Sequence, residues 1–194
     1  MHAGDAIPED LLDETVVGVN LVPGRLRDQL ASGPTLLVFL RHLGCIFCRE
    51  QVTRLREASE GDARFPPVLF FFQGTSTEGR VFLSRYWPEA RAIADRPLRF
   101  YCAFGIERGS FRQTLGPAVW KARRRALAAG FEQGERGGDV WMMPGVLWVE
   151  AGRVRWRHAY GHAGDAPDYA SLPEAMAALP QAGRGRESRD GAPI

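Results

Sequence analysis

Two short apolar runs separated by a helical stretch constrain the fold of this chain more than any other feature. Residues 35–41 (TLLVFLR) and 67–73 (PVLFFFQ) are nearly continuous in apolar side chains, and each follows a proline-containing break. Such runs are typical of strands that are buried on both faces. Between them, residues 46–59 place Cys48 and Val52 on one apolar helical stripe. This order predicts a β-α-β unit with a parallel pair of strands.

The later segments predict further elements of the same layered domain. They are a helix over 75–86, a short strand over 90–94, a short helix over 98–104 and a last helix over 172–179. Residues 145–150 and 153–159 alternate around an Ala-Gly pair, which predicts an antiparallel hairpin. The fold class expected is therefore α/β: a thioredoxin-like three-layer sandwich, with a mixed central sheet and helices on both faces.

The domain organisation follows from length and local composition. A chain of 194 residues corresponds to one domain, which we expect to span residues 14–179. Residues 107–138 form a helical insertion in that domain, before the C-terminal hairpin. The first dozen residues and the tail over 180–194, which is rich in Gly, Arg and Ser, are expected to be loose or disordered.

Composition excludes several classes of protein. A hydrophobic content of 45% excludes disorder as the main state, and apolar runs of five residues are far shorter than the about 20 that a membrane span needs. A net charge of +2 gives no reason to expect a nucleic-acid partner. Three cysteines do not make a disulfide framework, and no apolar leader is visible, so a cytoplasmic location is expected. The sequence leaves open whether the protein is a monomer or a homodimer.

The motif Cys45-Ile46-Phe47-Cys48 lies between a predicted strand and the helix that follows it. A thiol at a helix N-terminus meets unpaired N–H groups and the positive end of the helix dipole, which favour the thiolate. The spacing also lets one sulfur attack a substrate and the other release the mixed disulfide. We therefore predict that Cys45 and Cys48 are a catalytic pair, with sulfurs close enough to bond and accessible from solvent.

A nearby guanidinium is expected to complete the environment of the thiolate. Lowering a thiol pKa from about 8.5 to about 6.5 takes about 2.7 kcal/mol. A helix terminus alone supplies about 0.3–1 kcal/mol, or up to about 2 when partly buried. Arg41 is the first choice because it ends the strand that delivers the loop, Arg49 flanks the motif, and Arg108 can approach from a later segment.

A second candidate feature is the turn at Met143 and Pro144, immediately before the predicted hairpin. By analogy with thioredoxin-like domains, a proline at that place in the order of elements favours a cis peptide bond. The turn would then present the backbone of Met143 to a bound substrate chain beside the dithiol. The alternative is an ordinary trans proline at the start of a strand.

Other interpretations of the thiols and histidines remain open. Cys45 and Cys48 are also compatible with buried structural thiols, or with half of a metal site that needs two more ligands. Cys102 lies among aromatic residues and is expected to be a buried bystander. His158 and His162 do not converge on one ion from an extended strand, so we expect solvated or capping roles, no metal and no cofactor.

A function without turnover is the main alternative. A thioredoxin-like scaffold can serve as a binding module, since fold does not dictate activity. The insertion over 107–138 carries Phe111, Trp120 and Phe131 together with several arginines, and it would then be the partner surface.

The sequence resembles a known family over about residues 20–179. The resemblance rests on FLRHLGCIFCREQV, VLFFFQGT, FYCAFGIERGS and HAYGHAGDAPD, which start at residues 39, 68, 100 and 158. These segments are similar to the peroxiredoxin-like group described as AhpC/TSA antioxidant-related. The resemblance implies a thioredoxin-like fold and a thiol-dependent activity on a protein disulfide or a small hydroperoxide. It implies a functional role only for Cys45 and Cys48.

The order of attack stays open at the level of sequence. Peroxiredoxins resemble P-x-x-x-T-x-x-C around the attacking cysteine, and here Cys45 occupies the Thr position and Cys48 the peroxidatic position. The thioredoxin comparison implies that Cys45 attacks and Cys48 resolves, whereas the peroxiredoxin comparison implies the reverse. The absent Pro and Thr argue against efficient peroxidase activity.

Overall fold

A six-stranded mixed sheet is the centre of the computed structural model, which describes residues 1–179. The predicted tail over 180–194 lies outside the described residues. The strands are β1 (Thr15–Val16), β2 (Gly18–Val19), β3 (Gly24–Arg25), β4 (Thr35–Phe39), β5 (Val68–Phe72), β6 (Arg91–Ala94), β7 (Gly145–Glu150) and β8 (Arg153–Arg157). The order across the sheet is β2-β6-β5-β4-β7-β8, while β1 and β3 form a separate two-stranded ribbon.

The pairing of strands confirms the predicted β-α-β unit and hairpin. β4 pairs in parallel with β5, and β5 with β6, so the first apolar runs form the buried centre. β7 pairs antiparallel with both β4 and β8, which makes the sheet mixed. All five residues of β4 and of β5 are buried, as expected for strands covered on both faces.

Helices cover both faces of the sheet, as predicted. They are α1 (Glu9–Leu12), α2 (Leu26–Gln29), α3 (Ile46–Gly61), α4 (Ser76–Tyr86), α5 (Arg99–Ala103), α6 (Phe111–Leu115), α7 (Pro117–Ala128) and α8 (Leu172–Ala177). Val38 of β4 packs in one core cluster with side chains of α3, α4 and α8. Its neighbour Phe39 packs in a second cluster with α1, α2 and α5. None of the helices in residues 1–179 is long and apolar enough to cross a membrane.

The first dozen residues are ordered, so the expectation that they are loose is wrong. Ile7, Leu11 and Leu12 are buried in the second core cluster. The N–H of Gly4 also donates to the carbonyl of Val154 at 2.7 Å. The reason is apolar burial: these three side chains pack with sheet residues such as Leu37 and Leu147 in that cluster.

Two helices lie within residues 107–138, where the sequence predicts a helical insertion. Ser110 caps α6, and Pro117 occupies the first turn of α7. α7 packs against α3, and Arg125 bonds the buried carboxylate of Glu50 at 3.1 Å. The segment after α7 has no regular secondary structure and returns to the N-terminal end of α3.

The bond before Pro144 is trans, so the expected cis turn is wrong. The preceding segment is paired in extended form with the chain before α6. The N–H of Met143 donates to the carbonyl of Glu107 at 3.0 Å, and the N–H of Gly109 donates to Trp141 at 2.8 Å. These bonds hold residues 141–143 beside the chain before α6, and Pro144 follows them through an ordinary trans bond at the start of β7.

Candidate active site

The loop from β4 into α3 brings both predicted catalytic cysteines to one helix end. Cys45 is the N-cap residue of α3, with extended backbone angles, and Cys48 lies in the first turn. The N–H groups of Cys48 and Arg49 donate to the carbonyl of Cys45 at 3.1 and 3.2 Å. The geometry therefore places the two thiols at the positive end of a 16-residue helix.

Arg41 contacts both sulfurs. Its main-chain N–H donates to Cys48 Sγ at 3.2 Å, and its Nη1 donates to Cys45 Sγ at 3.4 Å. The guanidinium is anchored by the carbonyls of Met142, at 2.9 Å from Nε, and Val140. Arg41 is buried, so its charge acts on the sulfurs with little screening by water.

The two thiols divide into a thiolate and a protonated partner. The pKa of Cys45 is lowered to about 6, chiefly by a hydrogen bond from the Cys48 thiol. The Arg41 charge and N–H groups of the first turn contribute in the same direction, against the opposing effect of burial. Burial raises the pKa of Cys48 well above the ordinary range, and the bond to Cys45 and its charge raise it further. Near neutral pH, Cys45 is therefore the thiolate and Cys48 its hydrogen-bond donor.

The expectation of solvent access does not hold for either sulfur in this conformation. Cys45 is 2% exposed and Cys48 is 1% exposed. Cys48 nevertheless forms part of the wall of a cleft of about 760 Å³, together with Arg41 and Pro144. The cleft lies between α3 and the loop over 162–170, so a small molecule in it would approach the Cys48 side of the pair.

The wall of the cleft contains a buried carboxylate held by two arginines. Glu50 is 5% exposed at its side chain, and it bonds Arg54 at 2.9 Å and Arg125 at 3.1 Å. Gln51, one residue further along α3, donates from Nε2 to the hydroxyl of Tyr160 at 3.4 Å. The part of the wall formed by Glu50 and Gln51 is thus polar, and both side chains are hydrogen-bonded.

The other two arginines considered from the sequence lie away from the sulfurs. Arg49 donates from Nη1 to the carbonyl of Glu132 at 2.9 Å, and its guanidinium lies 5.9 Å from the ring centre of Tyr86. Arg108 pairs with Asp139 at 2.8 Å. Among the described residues, Arg41 is the arginine that hydrogen-bonds the thiols.

The two residues of the predicted substrate-facing turn, Met143 and Pro144, lie in different environments. Pro144 lines the cleft beside Cys48. Met143 is buried, and its Sδ lies so close to Gly109 that a Cβ added there would approach it to 2.6 Å. Its N–H is already bonded to Glu107, so this donor is not free for a bound substrate chain.

Cys102 is exposed, so the expectation of a buried bystander is wrong. α5 is short, and it turns Phe100 and Tyr101 towards the core. His158 Nε2 lies 3.5 Å from a carboxylate oxygen of Asp165, and His162 Nδ1 accepts from the N–H of Gly164 at 3.2 Å. Residues 1–179 contain no group of three side chains placed to hold a metal ion.

Two glutamines that were not predicted from the sequence contact the site. Gln73 donates from Nε2 to the carbonyl of Arg41 and accepts at Oε1 from the N–H of Asp139 at 2.7 Å. It follows β5 at the sheet edge where the parallel neighbour β4 ends, so strand order is a signal that indicates it. Gln133 accepts from the N–H of Ile46 at 3.4 Å, and no local pattern marks it.

Comparison with known families decides the affiliation of the chain. The family described as AhpC/TSA antioxidant enzyme matches residues 54–162, which is more than half of the sequence. The chain belongs to this AhpC/TSA family. The resemblance expected from the sequence is therefore confirmed, although the matched range begins after Cys48 and leaves the dithiol outside.

Solved structures similar to this AhpC/TSA family protein share its thioredoxin-like fold. Peroxidoxin BcpB from Mycobacterium tuberculosis has a TM-score of 0.62 at 16% identity, covering 91% of this chain and 96% of its own. PrxQ from Xylella fastidiosa has a TM-score of 0.59 at 14% identity, covering 92% and 96%. A secreted disulfide oxidoreductase of M. tuberculosis, homologous to E. coli DsbE, has a TM-score of 0.54 at 13% identity, covering 89% and 100%.

These identities establish the fold and leave the roles of individual residues to the site itself. A search of curated proteins gives no significant match. Family membership and fold together indicate a thiol-dependent oxidoreductase in general terms. The assignment of the reacting sulfurs rests on the geometry around Arg41.

Proposed function

We propose that this AhpC/TSA family protein is a thiol–disulfide oxidoreductase in which Cys45 and Cys48 cycle between dithiol and disulfide. The observation that carries the proposal is the double contact of Arg41, whose main chain bonds one sulfur and whose guanidinium bonds the other. A structural pair of buried thiols needs neither contact, because apolar packing suffices for it. A buried cation aimed at a sulfur instead favours a reactive thiolate.

Cys45 is the attacking sulfur in this proposal, because it holds the negative charge. Its thiolate attacks one sulfur of a substrate disulfide, and the other substrate sulfur leaves and takes up a proton. Cys48 then loses its proton and attacks Cys45, which releases the second substrate thiol. The substrate disulfide gains two electrons and two protons, while Cys45 and Cys48 become a disulfide.

A small hydroperoxide is the second substrate class, supported by the antioxidant description of the family. The Cys45 thiolate would attack the terminal peroxide oxygen, an alcohol would leave, and a sulfenic acid would remain on Cys45. Cys48 would condense with it to the same disulfide and release water. A cellular thiol, in a reducing compartment such as the cytoplasm, would return the pair to the dithiol.

Mass spectrometry of wild type and single cysteine variants tests this proposal. One equivalent of peroxide should convert wild type to an intramolecular Cys45–Cys48 disulfide, and Cys48→Ser should instead accumulate a sulfenic acid on Cys45. Cys45→Ser should form neither product at a comparable rate. Absence of the disulfide in wild type, or oxidation confined to Cys102, would overturn the proposal.

A binding module is the second candidate, and exposed apolar side chains of the insertion favour it. They are Phe111, Leu115, Trp120 and Leu127, which are between 43% and 69% exposed. A partner recognised by this surface should bind the Cys45→Ser/Cys48→Ser double variant as well as wild type. Loss of that binding on Trp120→Ala would support this function, whereas a partner captured only through Cys45 would contradict it.

A further inference from the structure

The segment from Glu132 to Arg136, termed the strap, crosses the start of α3. The N–H of Gly134 donates to the carbonyl of Gly44 at 2.9 Å. Gln133 donates from Nε2 to the same carbonyl and accepts at Oε1 from the N–H of Ile46 at 3.4 Å. Since Gly44 and Ile46 flank Cys45 in the chain, the strap bonds both neighbours of the attacking sulfur.

The strap lies so close to the loop from β4 into α3 that position 44 has to be glycine. A Cβ added to Gly44 would lie 1.6 Å from the carbonyl oxygen of Glu135, and that atom belongs to backbone, which yields poorly. Gly130 and Gly138 bound the region, with φ values of +86° and +70°. These left-handed conformations are ones that glycine adopts without strain, so the backbone can turn at both ends of the region.

The groups under the strap are those that recognise a polypeptide backbone. They are the carbonyl of Gly44, the N–H of Ile46 and the guanidinium of Arg49, which binds the carbonyl of Glu132 at 2.9 Å. Four hydrogen bonds join these groups to the strap. Two of them, from Gly134 to Gly44 and from Arg49 to Glu132, involve the main chain of the strap. Peptide-binding sites use the same kind of main-chain bonding, which gives affinity without sequence specificity.

We infer that the strap occupies a docking surface for an extended polypeptide, and that a protein disulfide substrate displaces it to reach Cys45. This inference rests on the proposed function and names its substrate class. The strap occupies the surface beside Cys45, and Cys45 is only 2% exposed in this arrangement. The cleft, in contrast, approaches the pair from the Cys48 side, where Arg125 and Glu50 in its wall are paired with each other.

The two variants that separate a docking surface from a simple lid are Gln133→Ala and Arg49→Gln. Gln133→Ala removes two bonds that hold the strap and leaves the docking groups intact. Arg49→Gln also loosens the strap, but it removes a group that the incoming polypeptide needs. Glu132→Ala is the matched control, because Glu132 contacts Arg49 through its main-chain carbonyl and its side chain is exposed.

The measurement is the rate of insulin disulfide reduction at sub-saturating insulin, with dithiothreitol as the recycling reductant. Gln133→Ala should raise kcat/KM about fivefold through a lower KM, as expected when two competing hydrogen bonds are lost. Arg49→Gln should stay at or below the wild-type value, and Glu132→Ala should equal wild type. Alkylation of Cys45 by iodoacetamide should also be faster in Gln133→Ala.

Two results would overturn the inference. Equal rates for Gln133→Ala and wild type would show that the strap does not compete with the substrate. A similar acceleration in Arg49→Gln and Gln133→Ala would show a lid with no docking role. Failure of the proposed function can be distinguished from failure of this inference. If the proposed function is wrong, wild type forms no Cys45–Cys48 disulfide with peroxide, and this result does not depend on the strap.

Discussion

The main-chain N–H of Arg41 donates to the sulfur of Cys48, seven residues later, at 3.2 Å. This bond joins the end of β4 to the first turn of α3 and fixes the direction of the Cys48 thiol. The same residue sends its side chain to Cys45, so one arginine sets the environment of both sulfurs. The division into thiolate and thiol therefore depends on the position of Arg41 as well as on the helix terminus.

Titration of the thiolate tests this division directly. The ultraviolet absorbance of the thiolate should appear with a midpoint near pH 6 in wild type, because the Cys48 thiol and Arg41 stabilise the Cys45 anion. Cys45→Ser should abolish the transition. Cys48→Ser retains a hydroxyl donor and should keep a low midpoint, whereas Cys48→Ala should raise it. A wild-type midpoint above pH 8 would contradict the assignment.

Replacement of Arg41 should change both stability and reactivity. Arg41→Gln removes the charge beside Cys45 and leaves the carbonyls of Met142 and Val140 without their donor. We expect the free energy of unfolding to fall by about 3 kcal/mol and the pKa of Cys45 to rise. Denaturant unfolding and the thiolate titration measure the two effects. Arg49→Gln is the control, and an equal rise of the Cys45 pKa in it would refute the specific role of Arg41.

His42 should make the protein less stable as the pH falls from about 6.5 to about 4. Burial, together with the smaller effect of the charges of Arg41, Arg136 and Arg49, lowers the pKa of His42 to about 4. The unfolded chain takes up this proton near pH 6.5, before the folded chain does, so acid favours unfolding in that window. The pKa shift corresponds to about 3 kcal/mol of unfolding free energy. This stabilisation is lost progressively as the pH falls, and the loss is largest near pH 4.

Denaturant unfolding at a series of pH values measures this loss, and His42→Leu should flatten it. The Cys45 thiolate acts mainly above this range: its pKa is lowered, so its contribution is lost as the pH falls from about 9 to about 6. An unchanged slope below pH 6 in His42→Leu would show that another group carries the acid sensitivity.

Cys102 should be the thiol that reacts fastest with an alkylating probe in the folded protein. It is exposed on α5, whereas Cys45 and Cys48 are buried. Native labelling followed by mass spectrometry should therefore show one rapid modification, which Cys102→Ser removes without loss of oxidoreductase activity. Rapid labelling of folded Cys102→Ser at the other cysteines would show that the site is open in solution.

Local patterns in the sequence predicted the elements around the dithiol because they depend on neighbouring residues. The apolar run that ends near Phe39 indicated β4, and Cys45 lies at the predicted N-terminus of α3. The peptide bond before Pro144 was predicted wrongly because it depends on the pairing of Met143 with Glu107, 36 positions earlier in the chain. Cys102 was predicted wrongly because the face that a five-residue helix buries is decided by what packs against it.

The alternation of strands and helices from β4 onward, the layered α/β fold and the position of two cysteines at a helix start follow from apolar runs, turn residues and periodicity in the sequence. The sequence did not indicate the short elements before β4, which are α1, β1, β2, β3 and α2. Family membership is likewise a property of the amino-acid sequence. The tertiary structure alone decided that Arg41, and neither Arg49 nor Arg108, bonds the sulfurs, and that Gln133 seals the loop at Gly44. Such contacts join residues far apart in sequence, and the path of the chain through space determines which donors and acceptors meet.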